Sequence, residues 1–402
     1  MRKKIFLGMI LAMSFLSAGC NRFVMPSDNE YHSEVDFPYQ FRDGFMGLGM
    51  TSSETGYYLL HNNLIYYMDK EKMKPVILDN RPDNNCLNKP DSKNCYAFVK
   101  NEEQMTSLLQ YYHSHLYIAE SLFDPKISKF GWYMKLSRMD SDGKNRHEIK
   151  TFKLSPKTIA IHRGYIYYAT VSVTKDNVEQ LEIKRSKLKD PNKEEIIYTG
   201  TDGITDLSAM IPFGNQLYWV GLGNKGYAEQ RYDFSTGKVT TLWDRGDGGY
   251  SSILSISDQR LYFSYFYGDP ADPRTLKKYS SDLQGRDIKE LPIEHPPVIS
   301  YFLKDNNYSY IRPNDAYKDH LPKGVPYELA ILKDNVKIDS LDLTPLTKFF
   351  QLYVGDDRYM FIRYSDDTKT GYYYIDKSQF ETKQASFKPL LESKVENESL
   401  VD

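Results

Sequence analysis

His113 and His115 are the first side chains in this 402-residue sequence whose type and spacing suit chemistry. Residues at i and i+2 share one face of a strand, so two imidazoles there can grip a zinc-like ion. Other copies of the same local pattern carry Gly214-Asn215, Asp258-Gln259 or Asp356-Asp357 in place of His113-Ser114, so the pair reads as a turn tip. Asp140-Ser141-Asp142-Gly143-Lys144-Asn145 alternates carboxylates as a calcium loop does, but Lys144 stands at the fifth position and Thr151 at the twelfth, where ligands are needed. It reads as a hairpin turn in which Gly143 supplies the positive φ. Serine nucleophile elbows, phosphate-cradling glycine loops and His-Glu zinc helices are absent. No catalytic residue, metal site or cofactor is assigned.

The remaining reactive groups are three cysteines. Met1-Arg2-Lys3-Lys4 precedes an apolar run from Ile5 to Leu16, then Ser17-Ala18-Gly19-Cys20. A charged start, an apolar core and small residues before a cut make a signal peptide. The run has twelve residues, against about 20 for a bilayer-crossing helix. Small residues directly before a cysteine resemble the lipobox of bacterial lipoproteins, with Ser17 in place of the usual leucine. The resemblance implies cleavage before Cys20, a diacylglycerol thioether on its sulfur with palmitate among the lipid's acyl chains, and an extracytoplasmic body anchored to the cell membrane by lipid. Residues 1–19 are then the leader and 20–40, polar with Pro26 and Pro38, a tether. In that oxidising compartment Cys86 and Cys95 read as a disulfide. No histidine stands near them to favour zinc. The formal net charge is -2 and no basic run is present, which argues against a nucleic-acid partner.

What must position these groups is a repeat. A short polar turn followed by an apolar-aromatic pair recurs with its aromatic at Tyr117, Tyr167, Tyr218, Tyr262, Tyr310 and Phe361. Each match lies between runs rich in Tyr, Ile, Val, Leu and Phe, the pattern of a tight β-hairpin. A second hairpin follows each one, with tips such as Phe234-Ser235-Thr236-Gly237-Lys238 and Ser281-Asp282-Leu283-Gln284-Gly285. Two hairpins make four antiparallel strands, one blade of an all-β propeller. Tyr57 to Leu78 adds a blade, with an inner strand expected around Phe45 to Met50. The expectation is seven blades over 41–392, with six or eight as alternatives, and a polar tail over 393–402. The 34 tyrosines are assigned to blade packing.

These motifs resemble the YWTD-type and TolB-like propellers. They are more closely similar to uncharacterised propeller lipoproteins of Gram-positive bacteria, which carry an Asn-Lys-Pro-Asp-Cys style loop after an early blade. Asn80-Arg81-Pro82-Asp83 and Asn88-Lys89-Pro90-Asp91, with Cys86 and Cys95, echo that loop. The resemblance spans roughly Phe45 to Glu392, and the Tyr-Trp-Thr-Asp tetrad itself is absent.

Loop length then separates the two rims. Turns within hairpins are short, whereas the connections 121–131, 175–179, 221–227, 268–273 and 312–326 are longer and share a rim with the blade-to-blade links, including 243–250. Loops carry function more often than scaffolds do. The candidate binding face is therefore Phe123, Phe130, Trp132, Tyr227, Trp243, Asp244, Tyr250, Asp269, Asp272, Arg274, Asn314, Tyr317 and His320. Aromatics among carboxylates suit a saccharide or a protein surface. The reading is a surface-anchored, non-catalytic binding or scaffold module. A glycan-active hydrolase or lyase using the same face is the second reading, and an accessory or sensor subunit of an envelope system the third.

Overall fold

A computed structural model describes residues 25–394 apart from 43–46, 82, 89–90, 92, 101–106, 129–130, 177, 201–202, 224–225, 245–249, 267–275, 293–299, 314–320, 322, 325 and 347–348. The repeat aromatics do what their spacing implies. Tyr58, Tyr117, Tyr167, Tyr218, Tyr262, Tyr310 and Phe361 are none of them more than 8 % exposed. Around them fold seven sheets, each built on four antiparallel strands in sequence order and one extended by a short fifth strand, giving a seven-bladed β-propeller. The blades comprise residues 50–77, 107–152, 158–199, 204–244, 250–291, 300–342 and 349–394, numbered 1 to 7 below. Strands within a blade are called a to d from the channel outward.

Three details differ from the sequence reading. The inner strand of blade 1 is Met50–Ser52, while Gly47–Leu48 pairs in parallel with strand a of blade 2, through Gly47 with Ser107 and Leu48 with Leu108. The connection expected over 221–227 is mostly strand, with Gly223 paired to Gly226. Its glycines allow close approach instead of a loop: a Cβ on Gly223 would stand 2.5 Å from the Gly203 carbonyl oxygen. At the other end, strand d of blade 7 runs to Lys394, two residues past the expected boundary. Among the described residues no helix is long and apolar enough to cross a membrane.

A ring of sheets is stable only if every seam is filled, because each blade buries its faces against its neighbours. Between blades 2 and 3 the Gln110 amide does the work of a missing strand. It accepts the Ile161 N–H at 2.9 Å and donates to the Ile161 carbonyl at 2.6 Å. Between blades 4 and 5 the buried Tyr218 hydroxyl donates to the Leu283 carbonyl. Between blades 5 and 6, Ser255 and Ser257 donate to the Lys304 and Asp305 carbonyls. Blades 7 and 1 meet without a shared strand. Their seam holds the Tyr372 hydroxyl on the Leu60 carbonyl, His61 Nε2 2.7 Å from the Ser393 hydroxyl, and the Arg358–Glu71 pair.

The segment assigned by composition to the tether lies, from Met25 to Arg42, across the rim formed by the a–b turns. Val35, Asp36, Phe37 and Phe41 are buried. Its carbonyls accept turn N–H groups from three blades: Glu34 from His113, Val35 from Arg163 and Gln40 from Gly355. Asn29 adds blades 4 and 5, accepting from the Asn215 N–H and the Gln259 amide. Phe41 packs against Tyr57 of blade 1 and Phe361 of blade 7. Arg163 holds the start of the segment with all five guanidinium donors. Nε and Nη2 grip Asp36 at 2.7 and 3.1 Å, Nη1 reaches the Pro26 and Asp28 carbonyls, and Nη2 also reaches the Glu30 carbonyl.

His162, next to Arg163, is fully buried. Its Nδ1 accepts the Phe37 N–H at 3.2 Å, and its Nε2 lies 2.7 Å from the Gly214 carbonyl, an acceptor only. The ring is therefore neutral with its proton on Nε2. Burial pushes its pKa down to about 4 despite Asp36 nearby, and burial does the same to His61, also to about 4.

Two predictions follow from this packing. A histidine whose folded pKa lies below its unfolded value contributes stability that is complete above about pH 6.5 and is lost as pH falls toward 4, at up to about 1.4 kcal/mol per pH unit for each group. Denaturant melts between pH 7 and pH 4.5 should show that slope, and His61→Gln with His162→Gln should flatten it. Arg163→Met leaves Asp36 buried without its counter-charge, at a cost of about 3–5 kcal/mol. Its thermal midpoint should fall, and limited proteolysis should cut within 25–42 before the blades.

Candidate functional site

Both mouths of the channel are built from repeat positions, so the chemistry of each can be read from the turns upward. At the short-turn mouth the residues five places before the repeat aromatics of blades 2, 3 and 4, Tyr112, His162 and Phe213, touch residues 25–42. In blades 6 and 7 the same position holds Asp305 and Asp356, and both line a cleft of ≈ 240 Å³ beside Tyr31, Glu34, Tyr39 and Lys70. Paired acids in a cleft invite a general acid–base reading.

Their hydrogen bonds oppose it. Asp305 Oδ1 accepts the Asn307 and Tyr308 N–H groups at 2.8 and 2.7 Å, while Oδ2 accepts from the Tyr310 hydroxyl at 2.6 Å and from Lys377 at 2.5 Å. Asp356 repeats the plan across the ring closure. Oδ1 takes the Arg358 and Tyr359 N–H groups, Oδ2 takes the Tyr57 hydroxyl at 2.6 Å, and Lys70 stands 3.3 Å away. Phe361 holds the position of Tyr310 but has no hydroxyl, so Tyr57 of the next blade donates in its place. Burial pushes the Asp356 carboxyl up, but the Tyr57 hydroxyl, the backbone donors and Lys70 outweigh it and hold the group below its usual range. Burial and the adjacent carboxylates raise Tyr57 and Tyr310 far above the usual phenol value. The Asp356 carboxylate is therefore ionised near neutrality, and the Tyr57 and Tyr310 phenols keep their protons. These acids lock turns and seams.

The sequence signal for this pair was present and was read only as turn chemistry. Asp-Asn-Asn-Tyr and Asp-Asp-Arg-Tyr open the repeats at 305 and 356. The lysine partners come from the start of the c–d turn one blade further on, a relation visible only when blades are adjacent.

At the opposite rim the predicted face is partly within the described residues. Phe123 ends strand b and Trp132 begins strand c of blade 2, paired in register, with ring centroids 5.1 Å apart and planes at 70°. Phe123 is 53 % exposed. Its ring lies over Gly131, where φ is +81° and a Cβ would come within 2.2 Å of the ring, so glycine is required there. Val173 and Val178 border the corresponding connection of blade 3 and are 58 % and 55 % exposed. Sequence reasoning missed both, since isolated valines carry no motif.

Tyr227 sits at the start of strand c of blade 4, opposite Leu222. Trp243 packs toward blade 5, its ring 4.9 Å from Phe263 and 4.8 Å from Tyr279. Asp244 ends strand d of blade 4 and Tyr250 begins strand a of blade 5. Phe130, Asp269, Asp272, Arg274, Asn314, Tyr317 and His320 lie outside the described residues.

The two histidines and the acidic turn are structural in their contacts. His113 and Ser114 have φ of 46° and 64°, a tight turn between strands a and b of blade 2. His115 Nδ1 is 2.8 Å from the His113 carbonyl. Asp142 pairs with Lys144, Asp140 accepts from Asn145, and Gly143 has φ of 90°. Cys86 and Cys95 form a disulfide. Beside it the buried Asp79 accepts a two-point bond from Arg81 and the Tyr96 N–H, and the Arg81 guanidinium lies 3.6 Å over the Tyr96 ring. Thiols and carboxylate come close enough here to suggest a metal site, but both sulfurs are used in the bond.

No protein family and no curated protein matches the sequence. Solved structures do match the fold. The tricorn protease matches over 93 % of this chain at 11 % identity with a TM-score of 0.50, and this chain spans about a third of that protein's length (36 %). TolB from Acinetobacter baumannii matches over 82 % of this chain and 76 % of its own, at 14 % identity and a TM-score of 0.41. The propeller domain of the Trilobed protease from Pyrococcus furiosus, described as having an open velcro topology, matches over 69 % and 79 %, at 10 % identity and a TM-score of 0.46. At such identities the likeness is one of fold: this chain is a β-propeller.

Proposed function

We propose that this chain is a lipid-anchored, extracytoplasmic propeller that binds a partner without catalysis, and that the long-loop rim is its binding face. The observation that carries the reading is the inequality of the two mouths. Residues 25–42 cover the a–b turns, and the acids there are spent on turns and seams. The opposite rim exposes Phe123, Val173 and Val178 on neighbouring blades. Exposed apolar side chains on adjacent hairpin tips suit a protein partner, in which such groups form the dry centre of an interface. The anchoring half of the proposal rests on the leader and on Cys20.

Each half has its own test. Cys20→Ala should abolish lipidation and detergent partitioning, and a variant that still matures and fractionates like the parent contradicts the anchor. For the face, Val173→Asp with Val178→Asp alters exposed side chains and should leave the thermal transition near that of the parent. Lysine crosslinking on intact cells, quantified by mass spectrometry, should lose a reproducible partner by about tenfold, the equivalent of about 1.4 kcal/mol. Unchanged crosslinks move the site elsewhere, and a parent that captures nothing reproducibly counts against binding altogether.

A further inference from the structure

We infer that the short-turn rim of the propeller faces the lipid surface at close range and that the long-loop rim points away from it. The inference rests on the proposed lipid at Cys20 and adds an orientation to it. Met25 is the first described residue, and it is fixed on the short-turn side. The Tyr112 hydroxyl is 3.8 Å from its sulfur, its Cε lies by Gly164, and the carbonyl of the next residue, Pro26, accepts from Arg163. Tyr112, Arg163 and Gly164 all belong to or flank the a–b turns of blades 2 and 3.

Chain length then decides the geometry. Five peptide steps separate Cys20 from Met25, and a fully extended chain spans at most about 18 Å over that distance. Strand b of blade 2 runs from His115 to Phe123, which is about 26 Å from rim to rim at the usual rise. A tether lifting the opposite rim to the membrane must also pass around the blades, adding about 14 Å for the width of four strands. The available chain is too short by a factor of about two. Nor can residues beyond Met25 pay out to lengthen it, because Arg163, Asn29, Val35 and Phe37 hold them to the blades.

The arrangement has a consequence for partners. A lipid-anchored protein usually gains reach from a flexible linker, whereas this one is held within a few nanometres of the headgroups with a fixed face outward. The binding rim is presented to soluble or opposing partners, and the cleft beside Tyr31 and Glu34 faces the narrow gap above the bilayer.

The test uses the full-length lipidated protein in vesicles of phosphatidylethanolamine and phosphatidylglycerol. Lipid occupies Cys20 and the disulfide occupies Cys86 and Cys95, so an added cysteine takes a thiol fluorophore alone. Lys144→Cys and Thr236→Cys mark the short-turn rim, and Lys126→Cys and Val173→Cys mark the long-loop rim; all four positions are exposed. A quencher on the lipid headgroup should quench the first pair several-fold more than the second. Inserting about twelve Gly/Ser residues between Cys20 and Met25 adds about 40 Å of reach and should erase the difference. A parent protein that does not bind the vesicles overturns the anchor and this inference together. One that binds but is quenched equally at both rims, or more at the long-loop rim, overturns the orientation alone. An asymmetry that survives the insertion overturns the tether as its cause.

Discussion

The grip of Arg163 on residues 26–36 is the contact on which the short-turn side of the molecule depends. A guanidinium carries five donors in a fixed plane, and here each meets an oxygen of the same short segment. The segment has no strand partner and little regular structure beyond a single 3-10 turn at Tyr39–Phe41. Without a dense set of charge-assisted bonds it would not repay the entropy of ordering. Once held, it accepts from turns of blades 2, 3, 4, 5 and 7 and packs Phe41 between blades 1 and 7. A propeller whose first and last sheets share no strand has a weak point at closure. Here a strap across the turns fastens the ring where a shared strand is lacking.

The same economy explains how the charged groups of the channel mouth are used. Asp305 and Asp356 each satisfy two backbone donors with one oxygen and a tyrosine and a lysine with the other. Each such acid therefore joins its own turn to the next blade. The opposite rim presents side chains such as Phe123 and Val173 to solvent.

The blades were legible because one aromatic per repeat must be buried, and burial imposes the same residue type at the same place in all seven copies. Tyr58 of blade 1 fits that rule as well, although only Tyr57 marked the blade in the sequence. The disulfide was legible from two cysteines flanking a short turn-rich loop with no histidine near them. The strap was not, because its composition is polar and its stability comes from backbone carbonyls and from a residue more than a hundred positions away. Polar composition reports what a segment lacks in apolar area, not which donors await its carbonyls. The connection over 221–227 misled for a related reason: glycines that allow two backbones to touch look the same in sequence as glycines that let a loop turn. On the long-loop rim, spacing located the Phe123–Trp132 pair, while Trp243 turned its ring toward Phe263 and Tyr279 in a packing choice that only neighbouring blades define.

The strap is tested most directly by amide hydrogen exchange at its anchor points. The N–H groups of His113, Arg163 and Gly355 donate to Glu34, Val35 and Gln40, and the Ile161 N–H donates to Gln110 within the blade ring as an internal standard. If residues 25–42 are an integral fastening, the three turn amides exchange as slowly as Ile161, at the rate of global opening. If those amides exchange like exposed turns while Ile161 stays protected, the segment is only lying on the rim and the account of how the ring is fastened is wrong.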